Sequence, residues 1–145
     1  MKINKILFIL AVLATSAKAQ NVESLINALV KVESNGKWNV VGDNGRAYGV
    51  LQIHSIMVRE ANRLGHTHYV HEDMFNVAKS RDVATIVLRD YAKQIKYKTG
   101  RTATLKELSF IWNGGGSAWT RVDSPINDTK QRNLENYWKK IAKNL

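Results

Sequence analysis

Cysteine is absent from the 145 residues, and proline occurs once, at Pro125. Without cysteine there is no disulfide scaffold, so stability has to come from a packed core. Acidic residues are scarce, 12 against 22 lysines and arginines, for a formal charge of +10. Such a balance suits an anionic partner (cell-wall polymer, lipid surface or nucleic acid), although it also serves plain solubility. Internal repeats, low-complexity tracts and linkers are lacking too, which leaves one domain's worth of chain.

The one concentrated apolar run is near the start. In "MKINKILFILAVLATSAKA", Lys2 and Lys5 precede an apolar segment from Ile6 to Ala14, and small residues lead to Ala17-Lys18-Ala19. That layout predicts a secretory signal peptide over 1–19 with an Ala-x-Ala cleavage site, and a mature domain over 20–145. The run is too short to span a bilayer comfortably, so no stable membrane anchor is expected. Removing three leader lysines would lower the charge to +7. Export disfavours nucleic acid as the partner, and points to a periplasmic or secreted protein.

Periodicity predicts a mainly helical domain. Val22, Leu25, Ile26, Leu29 and Val30 form one inward stripe. Gly42-Asp43-Asn44-Gly45 marks the turn of a small β-hairpin. A helix is expected from Ser55, as N-cap, to Gly65, followed by a connecting loop, "HTHYVHEDMFN". Val83, Val87 and Tyr91 mark a long helix ending near Gly100, and Leu105, Leu108, Ile111 and Trp112 mark another, stopped by Gly114-Gly115-Gly116. Leu134, Tyr137, Trp138 and Ile141 mark a last helix, capped near Asp128 or Thr129.

Glu33 occupies the next place on the first stripe. A carboxylate on a core-facing position is costly to ionise without a partner. Asn35 and Gly36 follow at once, which puts Glu33 in the last helical turn, where burial and the helix dipole both raise its pKa. That environment suits a general acid, or equally a buried glutamate satisfied by backbone amides or an arginine.

Two other segments embed polar groups among glycines and apolar residues. "YGVLQI" carries Gln52, and "IWNGGGSAW" carries Trp112 and Asn113. Glycine and aromatics together suit a saccharide groove, because sugar rings stack on flat faces. Each alone is as readily a turn, a helix stop or core tryptophan.

In order, Glu33-Ser34, Gly49-Val50-Leu51-Gln52, Trp112-Asn113-Gly114-Gly115 and the late Tyr137 resemble the lysozyme-like lytic transglycosylases of the soluble lytic transglycosylase (SLT) type. The resemblance runs from about Val22 to Ile141. It implies a mostly α, lysozyme-like α+β fold with a small β-hairpin beside the active-site groove. It further implies cleavage of the MurNAc-GlcNAc β-1,4 bond of peptidoglycan glycan strands by a monomer, with no cofactor or metal. Glu33 would be the sole catalytic acid/base, Ser34 would contact the sugar, Gln52, Trp112 and Asn113 would line the groove, and Tyr137 would orient Glu33. Val50-Leu51 stands where the family has Leu-Met, and "WNGGG" where Tyr-Asn-Ala-Gly-Pro is common.

Glycosidases usually use two carboxylates. Asp43 is the candidate for a second one, although the surrounding turn explains an Asp by itself. In the family's mechanism one acid suffices, because the substrate's N-acetyl group stabilises the cation and the muramyl 6-hydroxyl closes a 1,6-anhydro ring. The alternatives are a muramidase that hydrolyses the same bond, and a non-catalytic basic cell-wall-binding module. His66, His68 and His71 lack metal-ligand spacing and read as solvated loop residues.

Overall fold

The computed structural model describes residues 22–145, so the expected leader and its cleavage site lie outside the described residues. Five α-helices and a three-stranded antiparallel sheet make up the described fold. The first helix, α1 (22–34), buries Val22, Leu25, Ile26, Ala28 and Leu29. Asn35 (φ 51°) and then Gly36 (φ 81°) turn left-handed, and their amides bond back to Lys31 and Val30 carbonyls at 3.1 and 3.2 Å. The left-handed step expected of Gly36 thus begins at Asn35, whose short polar side chain tolerates that region. Glu33 is thereby left in the final turn.

Strands β1 (Val41–Gly42), β2 (Ala47–Tyr48) and β3 (Ile53–His54) pair in order, with Val41 opposite Tyr48 and Ala47 opposite His54. The expected hairpin is β1–β2, joined by a 3-10 turn over Asp43–Gly45. The third strand adds an edge that two residues of sequence do not advertise. Between β2 and β3, Gly49 (φ 75°) lies so near the next segment that a Cβ would sit 1.8 Å from the Met74 carbonyl oxygen. Only glycine permits that approach in that conformation.

Helix α2 (Ser55–Gly65) follows β3 directly. Its N-cap is His54, which makes no side-chain cap, and Ser55 is already helical; continuation from the strand replaces the expected serine cap. The supposed connecting loop holds a 3-10 helix, His71–Phe75, with Met74 fully buried. His71 is not a solvated loop residue: its Nε2 lies 2.7 Å from the Ile53 carbonyl and its ring stacks on Tyr48 at 3.9 Å.

Helix α3 (Val77–Thr99) starts at the Asn76 side chain, which accepts from the Lys79 amide, and ends at left-handed Gly100. Helix α4 (Leu105–Gly114) begins with a reciprocal capping box between Thr104 and Glu107 and stops at Gly115. Helix α5 (Thr129–Ala142) is capped by Asp128, which accepts from Gln131 N at 2.6 Å.

One core joins all these elements: Leu25, Ile26 and Leu29 of α1 pack with Leu51, Ile53, Met74, Leu88, Leu108 and Ile141. Burying each such side chain is worth about 1.5–3 kcal/mol, which is how a chain without disulfides holds together. A smaller cluster of Phe110, Ala118 and Leu134 secures α4 on α5. Tyr137 and Trp138 of α5 pack on the larger core, which carries the late helix to the end of α1.

Candidate active site

The end of α1, the β-sheet and the end of α4 converge on a groove of about 330 Å³. Glu33 lines it from the end of α1, Asp43 and Gln52 from the turns of the sheet, and Trp112 and Asn113 from the end of α4. Residues 80 positions apart in sequence are brought together because α1 and α4 share the same core.

Glu33 is half-buried, and its carboxyl accepts a short hydrogen bond from the Tyr137 hydroxyl. Burial raises its pKa above the ordinary 4.5, and the contacts with Tyr137 and Trp112 and the charge of Lys140 only partly oppose this. Desolvation dominates because the surrounding groups stabilise a carboxylate less than water would. Tyr137 responds reciprocally: burial first, then the Glu33 charge and their hydrogen bond, push its phenol above the ordinary range. It stays protonated and donates. No salt bridge is made to Glu33, so the arginine-paired alternative for this residue does not occur among the described residues.

A second carboxylate shows what that alternative looks like. Glu107 is 2 % exposed, with both oxygens held by Arg101 at 3.0 and 2.5 Å and further bonds from Thr104 N and Oγ1. Its pKa is lowered, chiefly by Arg101. Glu107 is therefore a satisfied structural ion in the α4 cap, and the Thr104-Leu105-Lys106-Glu107 spacing was the available signal.

The remaining predicted site residues differ in how free they are. Ser34 donates its hydroxyl to the Val50 carbonyl at 2.7 Å, which ties α1 to the sheet loop, and it does not line the groove. Gln52 lines the groove, but both its amide hydrogens are directed at backbone, the Val40 carbonyl at 3.1 Å and the Gly49 carbonyl at 2.9 Å. Asn113 is exposed and makes no side-chain hydrogen bond among the described residues. Trp112 is half-buried and presents part of its ring to the groove.

Asp43 faces the same groove as Glu33. Its two oxygens are engaged, by Arg46 at 2.9 Å and by His54 Nε2 at 3.3 Å, and its backbone sits at φ 47°. His54, which sequence reasoning passed over, lines the groove with Met57 and Ala47. Its signal was alternation within β3, where Ile53 is buried in the core and His54, next to it, turns to the opposite side. No three His, Asp or Glu side chains among the described residues converge on a metal position. Nor is any described helix long and apolar enough to cross a membrane.

Comparison with known proteins is consistent with this geometry. A family model described as "Transglycosylase SLT domain" matches residues 11–133, a span that takes in α1, the sheet and α4 with Glu33, Gln52 and Asn113, and stops just before Tyr137. No curated protein and no solved structure matches the chain. With the match covering most of the sequence and the fold mostly helical beside a small sheet, the chain belongs to the transglycosylase SLT domain family.

Proposed function

We propose that this chain is an exported lytic transglycosylase that cleaves the MurNAc-GlcNAc β-1,4 bond and leaves 1,6-anhydromuramic ends, with Glu33 as its only acid and base. The observation that carries the proposal is a carboxyl lining the groove whose pKa is raised by burial and which has a phenol beside it but, among the described residues, no salt-bridging cation. Such a group keeps its proton to a higher pH than an ordinary carboxyl, which suits it to act as the acid. Its proton passes to the glycosidic oxygen as the C1–O bond breaks. The acetamido carbonyl oxygen bonds to C1 and takes up the positive charge. The Glu33 carboxylate then removes the proton from the muramyl 6-hydroxyl, whose oxygen displaces the acetamido oxygen at C1 and closes the anhydro ring. Glu33 is left protonated for the next cycle, and no water is consumed.

Tyr137 holds the Glu33 carboxyl in one orientation through both protonation states, because its hydroxyl donates to either form. Trp112 and Asn113 are free to meet the sugar by stacking and hydrogen bonding. Ser34 and Gln52 act as positioning residues, since their donors already brace the loop that forms the sheet-side wall.

A hydrolytic reading is kept because Asp43 shares the groove. Both its oxygens are already occupied, by Arg46 and His54, which leaves Asp43 less free to hold an attacking water. The functional test is Glu33→Gln, which keeps shape and hydrogen bonding but has no proton to transfer. Cleavage of purified sacculi should drop by a factor of about 10² or more with the fold intact. Retained cleavage would remove Glu33 from the chemistry.

A further inference from the structure

The last turns of α3 carry cations that take no part in the groove. Arg89, Lys93, Lys96 and Tyr97 fall at i, i+4, i+7 and i+8 on one face of the helix, and Lys98 stands beside Tyr97 in the final turn. Ile95 is the last buried residue, and from Lys96 to Gly100 the helix end is exposed on every side. Arg89, Lys93, Lys96 and Lys98 make no ion pair among the described residues. The acids around them are already engaged: Asp90 accepts from the Gln94 amide at 2.6 Å, Asp82 from the Tyr69 hydroxyl at 2.6 Å, and Glu107 from Arg101 just beyond the helix. Tyr97 is 92 % exposed, more than any other large apolar side chain among the described residues. Lysines in a last turn complement the helix dipole, which accounts for Lys96 and Lys98. It does not account for Arg89 and Lys93, which stand earlier in the helix, or for a tyrosine left almost wholly in solvent.

We propose that this face of α3 docks on the anionic surface of a lipid bilayer, with Arg89, Lys93, Lys96 and Lys98 on headgroup phosphates and the Tyr97 ring at the boundary between headgroups and acyl chains. Each cation brought to a negatively charged leaflet tightens binding by about fivefold, provided that no acid of the protein competes for it. A tyrosine between lysines suits the same place, because its ring is apolar and its hydroxyl stays wet while the lysine stems reach back to the phosphates. A glycan strand fits less well. Its hydroxyls and acetamido groups call for acceptors as well as donors, and the four cations can only donate. The contact is peripheral, since no described helix is long and apolar enough to cross a membrane. None of these residues lines the Glu33 groove, so docking and cleavage use separate side chains.

The test is co-sedimentation with vesicles of phosphatidylcholine alone and of phosphatidylcholine containing about one-quarter phosphatidylglycerol, at roughly 0.1 M salt. Wild type should bind the anionic vesicles at least about tenfold more tightly than the neutral ones. Replacing Lys93, Lys96 and Lys98 together by glutamine should weaken that binding by about a hundredfold, and Tyr97→Ala should weaken it several-fold at unchanged charge, with Tyr97→Trp retaining it. The control replaces Lys130, Lys139 and Lys143, exposed on or just after α5, by glutamine; it changes net charge equally and should keep most of the binding. All the altered side chains are exposed, so each variant should melt like wild type. Equal losses in the two triple variants would mean diffuse charge attraction and overturn the proposal. So would a wild type indifferent to phosphatidylglycerol, or an α3 variant that loses retention on purified sacculi but keeps its hold on vesicles, which would make wall polymer the occupant. No bond is cut in this experiment, so its failure leaves the assignment of the Glu33 groove untouched.

Discussion

Glu33 and Glu107 are both withdrawn from solvent on helices, yet they titrate in opposite directions. The difference is the partner: a neutral phenol at Glu33, a bidentate guanidinium at Glu107. For Glu33 the folded pKa lies above the unfolded one, so the folded state binds the proton more tightly. Stability is then lost as pH rises from the ordinary 4.5 through the raised value. Glu33→Gln removes that loss. Its melting temperature should match or slightly exceed wild type at pH 4 and exceed it by a wider margin at neutral pH; a gap that does not widen would mean that Glu33 is not held protonated. Tyr137→Phe removes a contact that lowers the Glu33 pKa. The basic limb of the pH profile of kcat/KM should therefore move upward, with kcat reduced because the carboxyl is no longer oriented. An unmoved limb would detach Tyr137 from Glu33. Gln52→Ala should weaken the fold by about 1–3 kcal/mol as well as turnover, since two backbone carbonyls lose their donor. Melting curves of the variant read that loss directly.

Helices carried most of what could be read in advance. A stripe such as Val83, Val87, Leu88 and Ile95 repeats often enough to be recognised, and every long helix expected from such a stripe is present. Short elements are different. The third strand is two residues long and the 3-10 helix at His71–Phe75 five, too short for any period to show. Both are set by tertiary contacts, chiefly His71 on the Ile53 carbonyl and Gly49 against Met74. The groove was legible where polar residues interrupt an apolar pattern, as at Glu33, Gln52 and Asn113. What sequence could not reveal was which donors are already spent: Ser34 and Gln52 look like ligand contacts until the Val50, Val40 and Gly49 carbonyls are seen beside them. Two substitutions test the element-level reading. Gly49→Ala forces a left-handed alanine into the Met74 carbonyl and should destabilise by about 1–3 kcal/mol or more. Arg101→Ala leaves Glu107 with only Thr104 as donor. Because Arg101 is half-exposed, the loss should fall well below that for a fully buried pair. The Glu107 pKa is lowered in the fold, so this pair stabilises above the ordinary carboxylate range and fades as pH falls through the lowered value. The wild-type advantage over Arg101→Ala in urea melts should accordingly shrink in acid.

At the scale of the molecule, the proposed function joins excess positive charge to a cleft lined by a raised-pKa carboxyl: on that proposal the surface cations concentrate the protein on an anionic polymer and the groove selects the bond. Retention on sacculi by Glu33→Gln, which binds without cutting, should weaken several-fold as salt rises from roughly 0.05 to 0.5 M. Salt-independent retention would assign binding to the groove alone. The most direct measurement is mass spectrometry of muropeptides released by the wild-type protein, after borohydride reduction. Glu33 acting as both acid and base predicts 1,6-anhydromuramic ends that resist reduction and are about 20 mass units lighter than reduced muramic ends. Products carrying only reducible ends would contradict this, and would make water the nucleophile and Asp43 the group to be tested next.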